Sequence, residues 1–321
     1  MKRQIIVTGG AGFIGSNLVA ALNTRGISNI LIVDHLAGSE KWKNLVGLQY
    51  EDYLDRDALL ESIQQNKEPP ADTVFHFGAC TSTTETNADY LMRNNFQYSR
   101  SLCEWALTHN ARFIVASSAA TYGNGEMGYS DDEEQIIALR PLNMYGYSKH
   151  LFDLWALRKG LYNKIAGLKF FNVYGPGEEH KGDMCSVVLK AFYQIINSGE
   201  VKLFKSHNPN YRDGEQLRDF VYVKDAVAVA LFLYDRSDVS GLFNCGTGTA
   251  RTWLDLAKSI FDAMNKEPKI RFIDMPESIR TKYQYFTKAE MAKLHAAGFQ
   301  NQFMSIEDGV RDYIQHYLQR D

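Results

Sequence analysis

Short apolar runs alternate with longer stretches of helical periodicity through the first half of the chain. Ile5-Ile-Val7 reads as a strand, residues 16–25 as an amphipathic helix, and residues 29–33 as a second strand ending at Asp34. Residues 73–77, 112–117 and 165–171 repeat the strand signature. Between them, Leu91, Phe96, Ser99, Cys103 and Leu107 recur at helical spacing and predict a helix over residues 90–110. Another helix opens near Tyr145 and runs to about Lys159. Strands alternating with crossover helices imply an α/β fold, a Rossmann-type doubly wound parallel sheet. After Gly177 the alternation loosens. A helix over 184–198, a polar loop over 206–216, a strand over 218–223 and a helix over 224–233 come first. A strand-to-turn piece over 242–246, a helix over 253–264, a strand over 270–273 and a tail helix follow.

The junction of the first strand and helix carries the densest glycine pattern, Gly9-Gly10-Ala11-Gly12-Phe13-Ile14-Gly15. Gly10-x-Gly12-x-x-Gly15 and Gly9-x-x-Gly12-x-x-Gly15 both fit dinucleotide-binding spacings. Early glycines allow a tight turn with positive φ. Gly12 lets a pyrophosphate approach the helix N-terminus, where free N–H groups and the macrodipole favour anions. Gly15 lets the helix lie close on the sheet. Asp34, nineteen residues past Gly15, stands where a ribose-binding carboxylate belongs. The pattern predicts a dinucleotide-binding domain over residues 1–171, with returning segments near 218–250. Residues 172–321 are then mainly a smaller, interleaved C-terminal substrate-binding α/β domain, since no linker or repeat separates the halves.

Composition narrows the field of partners. The 321 residues are 45% hydrophobic with a net charge of −3, so no basic excess points to nucleic acid. The apolar runs are too interrupted to span a bilayer, and Met1-Lys-Arg leads into a strand rather than a signal peptide. Cys80, Cys103, Cys185 and Cys245 form no CxxC pair and read as reduced thiols, which points to the cytoplasm. Asp131-Asp-Glu-Glu134 has no histidine near it in sequence. It reads as a solvated surface loop rather than a metal site, and no metal is expected.

Candidate chemistry comes from the second half of the sheet. Tyr145 and Lys149 are four apart, on one face of a helix. A phenol with a pKa of about 10 is a poor base at neutral pH, but a nearby ammonium favours the phenolate. Tyr145 could then take a proton from a substrate hydroxyl, with Tyr147 an alternative phenol. Ser118, at a strand end, could orient the same hydroxyl. Gly78-Ala-Cys80 at another strand end would let a cofactor lie against backbone, or form a simple tight turn. Asn94 and Asn95 sit inside a predicted helix, where one contacts a loop or the cofactor, or both lie at the surface.

Together, residues 8–15, Asp34, Ser118 with Thr121-Tyr-Gly123, and Tyr145–Lys149 resemble the extended short-chain dehydrogenase/reductases that act on nucleotide sugars. Within them, residues 78–85, 143–149, 170–176, 179–182 and 218–222 resemble the ADP-L-glycero-D-manno-heptose 6-epimerases. The resemblance implies an isomerase that oxidises C6″ of the heptose with tightly held NADP and re-reduces the ketone on its other face, supplying heptose for lipopolysaccharide. It implies a second base, Lys181, beside Tyr145. It places Gly9, Gly12, Phe13, Ile14 and Gly15 at the pyrophosphate, and Asp34 and His35 at the adenosine ribose. Lys41 and Arg56 match basic cofactor contacts; Phe77, Gly78, Ala79, Cys80, Thr81, Asn94, Lys149, Val173 and Lys181 match further cofactor positions. Ser118, Asn172, Phe204, Arg218 and Tyr283 match substrate contacts. Asp183 replaces a substrate-contacting serine, Lys190 a histidine, and Arg56 a lysine; residues 207–216 make a longer loop than usual. The resemblance also implies a homo-oligomer, a pentamer. Asp34 alone argues for NAD, because a carboxylate repels a 2′-phosphate; Lys41 and Arg56 offset it and favour NADP.

Two other readings compete. One is another nucleotide-sugar enzyme of the fold, a UDP-hexose 4-epimerase or a dehydratase. Ala119 and Ala120 stand where a dehydratase needs an acidic pair, and a 4-epimerase needs no Lys181. The other is a non-catalytic NADP-binding regulator, whose expected mark, loss of Tyr145 or Lys149, is absent.

Overall fold

Runs of β-branched and aromatic residues form the central strands, and the glycine and polar positions at their ends form the turns. The computed structural model describes residues 4–65, 67, 71–280 and 283–319; the expected lead-in at Met1–Arg3 lies outside them. β1 (Ile5–Thr8), β2 (Ile30–Asp34), β3 (Asp52–Asp55), β4 (Thr73–His76), β5 (Arg112–Ser118) and β6 (Ala166–Phe170) belong to the first half. They alternate with α1 (Phe13–Thr24), α2 (Arg56–Gln64), α3 (Ala88–Leu91), α4 (Tyr98–Thr108) and α5 (Met144–Arg158). Next come β7 (Asn172–Tyr174), α6 (Val187–Ser198), β8 (Val201–Phe204), β9 (Leu217–Tyr222), α7 (Val223–Asp235) and β10 (Gly241–Cys245). β11 (Ala250–Thr252), α8 (Trp253–Ala263), β12 (Ile270–Ile273), α9 (Glu277–Arg280), α10 (Ala292–Ala296) and α11 (Ile306–Tyr313) complete the order.

Seven strands pair in the order β10-β6-β5-β4-β1-β2-β3, every pair parallel. A parallel sheet is covered on both faces, so its inner strands are apolar at successive positions; β1 and β2 are buried throughout. The pleat sorts them. Ile5, Val7, Ile30, Ile32 and Phe75 pack with Leu18 of α1 and Val227 of α7. Ile6, Leu31, Val33 and Val74 pack with Leu59 of α2, Leu102 of α4 and Phe152 of α5. Strand order reverses between β1 and β4, and a ligand crevice forms at the carboxyl ends beside such a switch point. Two smaller sheets, β11-β9-β7 and β12-β8, lie beyond the large one.

The structure departs from the sequence reading at several elements. α2, β3, β7, β8 and β11 were not anticipated; β3 is half polar and only four residues long, and β7 and β11 have three each. The helix expected over 90–110 begins at Ala88 and carries a π-type segment over Met92–Gln97. The acidic run is only half solvated: Asp132 and Glu134 are exposed, but Asp131 and Glu133 turn inward. Asp131 is buried and accepts the Asn244 N–H at 2.8 Å, while Glu133 accepts the Leu242 N–H at 2.9 Å and pairs with Lys293 at 2.6 Å. These acids satisfy the backbone of the edge strand β10, which spacing along the chain does not reveal.

Candidate active site

β1 ends at Thr8, and the chain turns through Gly9 at φ 70° to Gly12, the N-cap of α1. A Cβ on Gly9 would stand 2.7 Å from the Gly78 nitrogen, and one on Gly15 only 2.1 Å from the Gly9 carbonyl oxygen. Glycine is therefore required at both positions. α1 has neither a side-chain cap nor an acid in its first turn, which leaves its N-terminus suited to an anion. A cavity of about 430 Å³ opens over the turn, lined by Gly9, Gly12, Phe13, Ile14, Gly15, Asp34, Lys41, Phe77, Gly78, Ala79 and Thr81. This glycine cradle fits a dinucleotide.

Asp34, at the end of β2, is buried and already engaged. Oδ2 accepts the Ala11 N–H at 3.0 Å; Oδ1 accepts the His35 N–H at 2.7 Å and the Lys41 ammonium at 2.6 Å. Beside it a hollow of about 140 Å³ is lined by Asp34, His35, Lys41, Arg56, Cys80, Tyr90, Asn94 and Tyr98. Arg56 donates to Asn94 Oδ1 and to Asp57, His35 lies 3.2 Å from Asp55, and the buried Tyr98 hydroxyl has no hydrogen-bond partner among the described residues. Two cations and an orphaned hydroxyl thus surround one small space.

Ser118 closes β5, and Tyr145 and Lys149 project from α5, whose N-cap Asn143 accepts the Gly146 N–H at 2.8 Å. All three line the large cavity; Tyr147 is exposed. Burial is the largest influence on Tyr145 and holds its phenol above the ordinary 10, while a hydrogen bond with Ser118 pulls it back. Lys149 donates to the Ala116 carbonyl at 2.8 Å, and burial lowers it to about 8 against the pull of Asp153 and Cys80. The help that Lys149 was expected to give Tyr145 is therefore offset in the protein alone, because both groups are desolvated together.

Lys181 enters the same cavity from the turn Glu179–Met184, its ammonium 5.5 Å from the Phe13 ring centre. Burial lowers its pKa, and Glu178 opposes that shift. Asn172 and Val173 line the cavity from β7. Asp183 and Lys190 do not; Lys190 donates to the Asp183 carbonyl at 2.6 Å, outside the lining. Arg218 is buried, its guanidinium 4.9 Å from the Tyr283 ring and 5.6 Å from the Trp253 ring. Tyr283 accepts the Trp253 indole N–H at 2.9 Å, and Trp253 reaches the cavity. Phe204 ends β8, where its carbonyl accepts the Gln216 amide at 3.5 Å, away from the lining.

Glu178 and His76 were not anticipated at the site, while Asn95 takes the loop contact that was one of its two expected placements. Glu178, fully buried, accepts from the Gly175 N–H, the Ser186 N–H and the Ser186 hydroxyl, and so ties the exit of β7 to the start of α6. Asn95 clamps Cys80 through its N–H and carbonyl, both at 2.9 Å, and donates to Ser148 at 3.0 Å. The buried His76 joins this clamp. Ser99 donates to the Asn95 carbonyl, so the 2.7 Å contact between Ser99 and His76 assigns the proton to Nε2. Nδ1 then accepts from Thr8 at 2.6 Å, and Thr8 accepts from the Gly78 N–H. No periodicity signals these partners; only the buried polar type at a strand end hints at them.

The model of the NAD dependent epimerase/dehydratase family matches residues 5–246. The chain is 56% identical to an ADP-L-glycero-D-manno-heptose-6-epimerase of Nitratidesulfovibrio vulgaris strain Hildenborough, over 98% of this chain and 97% of that one. It is 48% identical to the enzyme so named from Fusobacterium nucleatum subsp. nucleatum, over 99% of each. The crystal structure of the Helicobacter pylori enzyme of that name is similar with a TM-score of 0.82 and 28% identity, over 99% of this chain and 97% of that one.

Proposed function

The chain belongs to the NAD dependent epimerase/dehydratase family, and on that premise we propose that it inverts C6″ of ADP-D-glycero-D-manno-heptose to give ADP-L-glycero-D-manno-heptose. It is an isomerase with no net redox change, and its product serves lipopolysaccharide core assembly. The observation that carries this reading is that Ser118, Tyr145 and Lys149 share one cavity with Lys181, which arrives from a separate element. Inversion needs proton transfer on both faces of the reacting carbon, and one phenol cannot reach both.

Gly9, Gly12 and Gly15 with Phe13 and Ile14 would hold the pyrophosphate of the cofactor, and Asp34 and His35 its adenosine ribose. Residues 77–81, Asn94 and Val173 complete its walls. We read the cofactor as NADP. Lys41 already neutralises Asp34, and Arg56 adds a second cation beside the ribose position. A nicotinamide held here would supply a reversible hydride acceptor. Tyr145 moves the hydroxyl proton, Ser118 orients the hydroxyl, and Lys149 holds the phenolate. Lys181 moves the proton at the other face. Arg218 between two aromatic rings, with Tyr283, Asn172 and the segment beginning at Phe204, would hold the ADP-sugar.

The domain division at 171/172, a cytoplasmic location and a pentameric homo-oligomer belong to the same reading; sedimentation of the purified protein tests the last. Proton NMR of ADP-D-glycero-D-manno-heptose incubated with the protein tests the reaction. The expected result is inversion at C6″ without change of composition and without added nicotinamide. Stoichiometric accumulation of NADPH would make the protein a net dehydrogenase instead.

A further inference from the structure

We propose that the buried Lys169–Asp153 pair is a positioning device that holds Ser118 in register with the helix carrying Tyr145 and Lys149. The Nζ–Oδ2 distance is 2.7 Å, and each side chain is 1% exposed. Lys169 lies in β6; Asp153 lies on α5, one turn after Lys149. Neither lines the cavity.

The pair grips Ser118 from both flanks. Ser117 donates its hydroxyl to Asp153 Oδ2 at 2.7 Å. Lys169 donates to Thr121 Oγ1 at 2.6 Å, and Thr121 in turn donates to the Ser118 carbonyl at 2.8 Å. Asp153 Oδ1 accepts the Tyr162 hydroxyl at 3.1 Å, and the Lys169 ammonium lies 4.9 Å from the Tyr122 ring centre. One ion pair thereby joins β5, β6 and α5, the elements on which Ser118, Tyr145 and Lys149 stand. Stability alone does not explain it. Two charges removed from water repay their desolvation poorly, and an apolar pair of similar volume packs as well or better. What the pair adds is geometry, and a full negative charge one turn from Lys149.

That charge has a direction. Lys149 faces Asp153 on its own helix, the Cys80 thiol after β4 and the His76 imidazole of β4, with Tyr145 a turn earlier. Asp153 favours the Lys149 ammonium against burial.

The inference rests on the reading that Ser118, Tyr145 and Lys149 carry the proton chemistry, and the test separates the two. Asp153→Asn, Lys169→Met and the double variant are compared as full-length, cofactor-loaded protein. Each single change leaves a buried group unpaired and is expected to lower both Tm and turnover. The double variant removes both charges, keeps an amide for Ser117 and Tyr162, and is expected to regain most of the lost Tm. Its kcat is still expected to be about tenfold down, with KM within about twofold, because Ser118 is no longer held at the reacting distance. The NMR titration of the Lys149 side chain should move to lower pH. Thr121→Val, which cuts the relay to Ser118 and removes one acceptor of Lys169 while leaving the ion pair in place, should lower kcat with a smaller loss of Tm than either single change. Wild-type kcat with an unmoved Lys149 titration in the folded double variant overturns the proposal; should that variant not fold, wild-type kcat in Thr121→Val overturns it. Full activity in Tyr145→Phe and Lys149→Met would overturn the reading of the site instead, and the Lys149 titration does not depend on turnover.

Discussion

Tyr145 and Lys149 project from a helix of 15 residues, whereas Lys181 projects from a turn of 6. Tyr145, Lys149 and Ser118 are 9%, 4% and 8% exposed, and their elements are cross-tied by buried hydrogen bonds. Around Lys181, by contrast, Glu179, Gly182 and Asp183 are exposed, and Gly182 sits at φ 52°. That turn is fixed mainly at its root, where Glu178 accepts from Gly175 and Ser186 and its carbonyl accepts the Lys181 N–H at 2.9 Å. One side of the cavity is therefore set by the scaffold, and the other chiefly by a buried carboxylate, with Lys190 on the Asp183 carbonyl and Asn44 beside His180 as side ties. On the proposed two-base reading, an intermediate that presents two faces in turn is well served by one fixed base and one more adjustable one.

The largest effects should come from deleting either base. Tyr145→Phe and Lys181→Met are each expected to lower kcat about 10³-fold, in the range of general acid–base catalysis, with Tm unchanged. Epimerisation followed by proton NMR checks this, and full activity in the Lys181 variant would leave the cavity with one working side. Glu178→Gln should act on the loop side alone. Its amide cannot accept the Ser186 N–H and hydroxyl as the carboxylate does, so a stability loss of about 1–3 kcal/mol is expected. Protease cleavage within 179–184 should become faster, and cleavage near Tyr145 should not.

His76 probes the scaffold side. Burial lowers it from an ordinary 6.5 to about 3. Above pH 6.5 neither state is protonated; between 6.5 and about 3 only the unfolded chain takes the proton, so stability falls as pH falls through that window. His76→Asn should remove up to about 1.4 kcal/mol per pH unit of that slope. Denaturant unfolding at stepwise pH measures it, and an unchanged slope would exclude His76 as the cause. The smallest effect is expected at the far end of the cavity. Lys41→Ala should weaken NADP by about fivefold, ~1 kcal/mol, while NAD is nearly unaffected. Equal weakening of both would mean that Lys41 serves Asp34 alone.

Local patterns made much of the fold legible. Apolar β1 and β2 flank a glycine turn, and helical spacing placed Tyr145 and Lys149 on one face. β3 was missed because an edge strand such as Asp52-Tyr-Leu-Asp55 carries polar residues without cost. Asp131 and Glu133 give no local sign of their inward role because their partners, the N–H groups of Asn244 and Leu242, lie more than a hundred residues away. At the site, the glycines and the Tyr–Lys spacing are visible because geometry dictates residue type at short range. Glu178, His76 and the Lys169–Asp153 pair are not, since a buried polar group is defined by what folds against it; Asn95 was legible only as one of two alternatives. Asp183 and Lys190, flagged as departures in the substrate contacts, instead meet each other.

The position of β10 bears on how the chain is made. Residues 241–245 form the strand beside β6, so the sheet that begins at Ile5 lacks its last member until three quarters of the chain exists. During vectorial synthesis the nascent sheet must wait with the β6 edge open, and Tyr122 and Asp131 wait for Asn244. An open parallel edge is a template for mispairing. Truncation before Gly241 should therefore yield aggregates rather than a shorter domain, and the late strand acts as the closing step of assembly.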